Sequence, residues 1–293
     1  MRSWWALMVR EYLEHRAPFL YVPLGLVALM VLSAGASLGL HRVQVLMGNL
    51  TPTAVKVFEV GYFALLALWF AYLVVTLFFY FGDAFSADRR NNAMFFWKSM
   101  PVSDLKIVVS KFFAGILLFP ALILIVAAVT GLVFYAIVNV APVVFAGLFL
   151  PDPIVTLQSF GQITLYALVH LFFAALWYAP FLAWVGGLST IFGRWSLPLA
   201  FVIPGFLSVI ENMVFFGNGP RGGYIWSYLA SRWQFGLSEI GYAAIVTEPT
   251  PFGALSFIQL LLHQIDWVAM GGGLVFAAIV LYLASEYRRR RIN

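Results

Sequence analysis

Side chains able to do acid–base or metal chemistry are few in this chain, and they are scattered. The histidines stand at 15, 41, 170 and 263, with no His-Glu-x-x-His pair to hold zinc. The absence of cysteine excludes disulfides and thiolate metal sites. No Gly-Lys pair occurs, so the glycine-rich loop that cradles nucleotide phosphates is missing. The expectation is a protein with no catalytic residue and no metal or cofactor site of its own. Two ionisable residues interrupt apolar runs, where charge is costly and function is the usual reason to keep it: His170 and Glu211. His170 is expected as a neutral imidazole bonded to a neighbouring helix. Glu211 is expected either to face a cavity or to reach the outer interface. Neither has a charged companion nearby in sequence, so a proton relay has little support.

The elements that would position these residues are membrane helices. The chain has 293 residues, of which 63% are hydrophobic and 10% charged, with a mean hydropathy of +0.94. Soluble domains carry roughly 25% charged residues. An apolar span needs about 20 residues, and six segments qualify: Pro18–Leu40, Phe58–Gly82, Phe112–Asn139, Gly161–Gly187, Ser196–Phe216 and Trp267–Ser285. Their apolar runs are continuous, without the two-residue alternation of a barrel strand. The expected fold is an all-α, polytopic membrane protein forming a single transmembrane domain over residues 1–293. Ala34 and Ala36 resemble a signal-cleavage site, but the apolar run around them is long for a signal peptide.

Charge gives the orientation. With the N-terminus inside, thirteen of the 17 Lys and Arg fall on the inner side: Arg2, Arg10, Arg16, Arg89, Arg90, Lys98, Lys106, Lys111, Arg194 and Arg288 to Arg291. Arg42, Lys56, Arg221 and Arg232 fall outside. The positive-inside rule therefore puts both termini in the cytoplasm, which requires an even number of spans.

Three polar stretches punctuate the spans. Residues 1–17 read as a helix lying in the interface, with Trp4, Trp5, Met8, Val9, Tyr12 and Leu13 on one face. Arg2, Arg10, Glu11, Glu14 and Arg16 take the other face, with the arginines toward anionic lipid, and Pro18 marks a bend. Residues 83–111 form a charged, aromatic island between two stretches without charge, Val60–Gly82 and Phe112–Pro151. Within it, Met94, Phe95, Phe96, Trp97, Lys98, Ser99, Met100, Pro101, Val102 and Ser103 read as a short apolar helix, a break and the cap of the next helix. Ser103 is the expected N-cap, with Val102 and Ile107 as the hydrophobic staple. A short helix with exposed aromatics suits a groove on a partner, so this is the expected docking surface for a soluble protein. Residues 217–266 form the largest outer segment, with stretches too short to cross that suit re-entrant or surface helices.

Two of these stretches carry a family resemblance. Arg10-Glu11-Tyr12-Leu13-Glu14-His15-Arg16 resembles the Arg-Glu-aromatic-x-Glu-His-Arg start common in one bacterial branch of the type-2 ABC transporter permeases. Phe96-Trp97-Lys98-Ser99-Met100-Pro101-Val102-Ser103 resembles that branch's Phe-Trp-Lys-Ser-Leu-Pro-Val-Ser motif between spans two and three. The six-span layout is also similar. Asn91-Asn92 depart from the branch, which often has an Asp-Arg pair there. The resemblance implies a permease subunit of the bacterial inner membrane, with an N-terminal elbow helix (Arg10, Glu11, Glu14, Arg16) and a coupling helix at 94–103. It implies a separate ATP-binding subunit that carries ATP and Mg, and a second permease copy or a related permease. Membrane lipid is the remaining partner, and nucleic acid is not one. An exporter of something amphipathic or apolar is the expected activity. The alternatives are a membrane-embedded enzyme and a non-transporting scaffold or sensor component that still binds an ATPase.

Overall fold

The computed structural model describes residues 2–39, 54–90, 103–144, 151–216, 223–233, 235–248 and 250–290. Every regular element among them is a helix. Helix α1 (Arg2–Arg16) passes through a π turn (Ala17–Tyr21) into α2 (Val22–Gly39). The chain then forms α3 (Ala54–Arg90), α4 (Asp104–Phe113), a π turn (Ala114–Leu118) and α5 (Phe119–Val144). Next come α6 (Pro153–Phe192), a single 3-10 turn (Gly193–Trp195) and α7 (Ser196–Glu211), which closes in a π turn (Asn212–Phe216). Four further helices follow: α8 (Gly223–Trp233), α9 (Glu239–Thr247), α10 (Ala254–Gln264) and α11 (Trp267–Arg290).

Five stretches are long and apolar enough to cross a membrane: Trp4–Ser37, Val55–Ala87, Asp104–Ala141, Pro153–Phe215 and Trp267–Arg290. Large apolar side chains are exposed along the surface of the bundle. Leu29, Val74, Ile125 and Phe201 are each more than 60% exposed. Water would penalise such a surface and hydrocarbon does not. The chain is a multi-pass membrane protein.

Helices α3 and α6 form the centre and run parallel, in register with an offset of about one hundred residues. Glu59 meets Ser159, Tyr62 meets Thr164, Phe70 stacks on His170, and Phe85 packs on Gly186. Gly186 is small of necessity, since a Cβ there would lie 2.7 Å from the Phe85 ring. Trp69 donates to Thr130 Oγ1 at 3.0 Å, fastening α5 to the same core.

The helix ends follow from local chemistry. Asp152 caps α6 by accepting from Ile154 N at 2.9 Å, with Pro153 in the first turn where its missing N–H costs nothing. At its other end Gly193 adopts φ +57°, a left-handed conformation that releases the chain from the helix. The chain folds back there: Trp184 Nε1 donates to Ala200 O at 3.3 Å across the turn. Pro153–Phe215 is therefore two helices joined by a tight reversal.

The lengths differ from the sequence expectation. Helix α3 has 37 residues and α6 has 40, or about 55 and 60 Å at about 1.5 Å per residue. Each is nearly twice the roughly 30 Å of a hydrocarbon core. The spans expected over Phe58–Gly82 and Gly161–Gly187 are only the middles of these helices. Hydropathy windows end a helix where polarity rises, and these helices continue past that point.

Candidate functional site: the frame around Ser103

At one end of the bundle lie α1, α4, the C-terminal turns of α3 and α11, and the Gly193 reversal. Most of the expected docking segment, Met94 to Val102, lies outside the described residues, as do the side chains of Arg89 and Arg90. Ser103 is described. Its hydroxyl accepts from Lys106 N at 3.4 Å, making it the N-cap of α4, and Asp104 sits in the first turn where a carboxylate favours the helix dipole. Val102 of the expected staple also lies outside the described residues, and Ile107 is buried.

Helix α4 is therefore the first rigid element after the expected docking segment, and it is gripped from two sides. On one side is α1. Lys111, in the last turn of α4, is 1% exposed, and its Nζ lies 3.4 Å from Glu11 Oε1. Lys111 Nζ also donates to Ala84 O of α3 at 2.8 Å. Tyr80 of α3 completes the cluster: its hydroxyl lies 3.1 Å from Glu11 Oε2 and 2.9 Å from Lys111 O. His15 closes it from above, with its Nδ1 3.2 Å from Glu11 O and its ring edge-on to Tyr80 at 4.8 Å. Phe19 stacks on Phe119 at 3.9 Å immediately beyond. Nearer the α4 N-terminus, Lys106 Nζ sits 5.8 Å over the Trp4 ring.

Glu11 thus corrects the helical-wheel reading. It was assigned to the solvated face with Arg10, Glu14 and Arg16, but it is 2% exposed and faces Lys111. The other three do remain outward: Arg10 pairs with Glu14 at 2.7 Å, and Arg16 lies over the Tyr21 ring. The bend at Pro18 also takes a different form. The backbone departs from helical values at His15 (φ −116°), and Pro18 enters a π turn whose carbonyl accepts from Tyr72 OH at 2.6 Å.

On the other side is α11. Arg288, 1% exposed, places Nε 3.7 Å from Asp104 Oδ1 and donates from Nη1 to Phe85 O at 3.3 Å. The two chain-terminal helices therefore hold the two ends of α4 with opposite polarity, Glu11 on Lys111 and Arg288 on Asp104. Glu11, Glu14 and His15 come close enough together to suggest a metal site. Glu11 is already committed to Lys111 and Tyr80, and Glu14 to Arg10, so the arrangement reads as ion pairing.

Lys111, Tyr80, Asp104 and Arg288 were not singled out from sequence. The only available signal was position: each sits where an apolar run meets a polar one.

The two intramembrane candidates lie elsewhere. Glu211 caps a helix rather than facing a cavity: Oε1 accepts from Tyr224 N and Oε2 from Ile225 N, both at 2.8 Å, at the start of α8. Among the described residues, His170 makes no hydrogen bond to a neighbouring helix. Its Nδ1 is buried without a partner, and the ring is held among Phe70, Tyr166 and Phe235 at 6.1, 5.7 and 5.3 Å.

At the opposite end a second buried pair fastens the outer helices. Glu59 is fully buried, 2.7 Å from Lys56 Nζ, and its Oε1 accepts from Ser159 Oγ at 2.6 Å and Phe252 N at 2.7 Å. Beside it, residues Gln158, Gln162, Pro251 and Leu255 help to line a cavity of about 750 Å³.

No family model, no curated protein and no solved structure matches this chain.

Proposed function

We propose that this chain is the membrane-spanning permease subunit of an ATP-driven transporter of the type-2 ABC class, and that a separate ATP-binding subunit docks on Met94 to Ser103. The observation that carries the reading is the grip of α1 and α11 on α4. A docking segment is useful only if its movement reaches the spans. Helix α4, the π turn and α5 form one continuous helical path over 104–144, about 60 Å at about 1.5 Å per residue. A push at Ser103 therefore moves a rod. The Glu11–Lys111 and Arg288–Asp104 contacts carry the same push into the first and last spans, in the role expected of an elbow helix. The π turn at Ala114–Leu118 supplies a weak point in the rod, as such turns do.

Coupling of this kind requires only that the ATP-bound partner favour one arrangement of the rod over another. The Gly193 reversal supports a count of six spans, because it divides Pro153–Phe215 into two crossings. With six, both termini, the docking segment and Arg194 share one side, which by the distribution of Lys and Arg is the cytoplasm; the family resemblance makes the membrane a bacterial inner one. Two copies, or this chain with a related permease, would enclose the path. Export of an amphipathic or apolar substrate fits spans this rich in aromatic side chains.

The test is purification of the tagged chain in mild detergent together with the ATP-binding subunit from its host. ATP hydrolysis should accompany the wild type and be lost with Phe96→Ala/Trp97→Ala, while the variant still inserts and elutes as the wild type does. Hydrolysis that survives the double substitution, or that never accompanies the chain, would overturn the reading.

A further inference from the structure

Helix α8 is held at both ends by charged side chains. At its start, Glu211 accepts from the first backbone N–H groups, and Gly223 at φ +78° lets the chain turn there. Near its other end stands Arg232, 1% exposed. Its Nη1 donates to Trp177 O at 3.2 Å and its Nη2 to Ala269 O. The guanidinium lies 4.3 Å over the Trp177 ring and 5.3 Å from the Tyr228 ring. Trp177 Nε1 donates back to Arg232 O at 2.9 Å. Among the described residues no carboxylate pairs with Arg232, and its Nε has no partner.

The surroundings are built for this guanidinium. Pro180 lacks the N–H that would have bonded the carbonyl of Leu176, and the next carbonyl, Trp177 O, accepts from Arg232. Gly273 leaves the space: a Cβ there would lie 2.5 Å from Arg232 Nη2 and 3.1 Å from Pro180 Cγ. One arginine thus joins three helices, α8, α6 and α11, at the level where α11 begins.

The α7–α8 arm packs on the core through Leu197, Ala200 and Ile203 and turns its remaining apolar face outward. Phe201, Phe206, Met213 and Phe215 are all more than 60% exposed. At its near end the arm hangs on Ser196 Oγ, which donates to Gly82 O at 3.0 Å, and on the Trp184–Ala200 bond. At its far end Arg232 supplies the polar contacts to α6 and α11.

We propose that Arg232 is a latch: its bonds to the Trp177 and Ala269 carbonyls hold the α7–α8 arm closed on α6 and α11, and their release lets α8 swing away and opens the far end of the bundle between them. The contact suits switching. A guanidinium held only by carbonyls and ring faces is stable while the site is dry and complete, and it loses its support together once α8 moves, so intermediate positions are disfavoured. Only the use of the opening, to release substrate, rests on the transporter reading; the latch itself does not.

The test uses the full chain in lipid nanodiscs without any ATP-binding subunit. The chain has no cysteine, so spin labels go only where cysteines are introduced. Ile154→Cys on α6 and Ala230→Cys on α8 report the arm by electron–electron distance measurement; Ile154→Cys with Val75→Cys reports the α3–α6 core. In the otherwise wild-type chain the arm pair should give one dominant distance. Arg232→Gln and Gly273→Ala should each add the same discrete longer distance while the core pair stays unchanged. Arg232→Lys, which keeps the charge but loses the planar fork, should give a smaller share of that population. An arm distance unchanged in both Arg232→Gln and Gly273→Ala would overturn the latch, as would broadening of arm and core pairs alike, which marks a structural role only. Failure here leaves the docking reading standing, and loss of the docking reading leaves this measurement intact.

Discussion

Lys111 and Glu11 lie a hundred residues apart in sequence and form one buried ion pair, with Nζ and Oε1 3.4 Å apart and both side chains at most 3% exposed. The pair ties the N-terminal helix to the helix that follows the proposed docking segment. Charges buried this deeply are costly to separate, because removing one leaves the other uncompensated.

Glu11→Ala should therefore destabilise the fold by about 3–5 kcal/mol, the range for breaking a buried pair. Glu11→Gln/Lys111→Met, which removes both charges and keeps the volume, should recover most of that loss. Thermal unfolding in detergent checks both. A double variant no more stable than Glu11→Ala would show that the pair does not act as a unit.

The Arg288–Asp104 contact should respond unevenly. The Asp104 side chain is 34% exposed, so Asp104→Asn should cost about 1 kcal/mol or less, as expected for an ion pair open to solvent. Arg288 is buried and also holds Phe85 O. Arg288→Ala should cost more, through lost packing as well as lost charge. The same unfolding measurement compares them, and equal losses would contradict this ranking.

Parts of this arrangement were legible in the sequence and parts were not, for physical reasons. Ser103 before Asp104 and an apolar run is local cap chemistry, and the cap forms as read. The all-helical, apolar character is likewise set by residues near one another. Glu11 was misplaced because a helical wheel sees only its own helix, and the partner that draws this carboxylate inward lies on another. His170 was expected near the middle of a span and lies close to the middle of helix α6 (Pro153–Phe192), but its Nδ1 is unpartnered and the Phe70 and Phe235 rings against it come from elsewhere in the fold, which leaves no local signal. Arg232 was counted only as one outer charge, because nothing local reveals that two distant carbonyls receive it.

At the far end, Glu59 organises three elements at once: Lys56, Ser159 and the backbone of Phe252. Glu59→Ala should release the turn that carries Phe252 and expose it to protease, raising the rate of cleavage near Thr250 at least tenfold, the factor that about 1.4 kcal/mol of lost local stability implies. Limited proteolysis of reconstituted protein, read by mass spectrometry, checks this. Cleavage there as slow as in the wild type would contradict the role given to Glu59.

Six spans, the count proposed above, would place Trp195 and Ser256 on opposite sides of the membrane. Trp195 is 72% exposed in the reversal after α6, and Ser256 is exposed on α10. In single-cysteine variants, a membrane-impermeant maleimide should label Ser256→Cys in intact spheroplasts and Trp195→Cys only in inverted vesicles. Labelling of both from one side would remove the crossing at α7.

The central claim is that an ATP-binding subunit grips the chain beside Ser103. The most direct test replaces Trp97 with a photo-reactive phenylalanine analogue in the native membrane and identifies the cross-linked protein by mass spectrometry. The expected result is one dominant adduct, to a protein with a glycine-rich nucleotide-phosphate loop, absent when the same analogue replaces the far-end residue Leu255. An adduct only to lipid, or to proteins without a nucleotide site, would contradict the account.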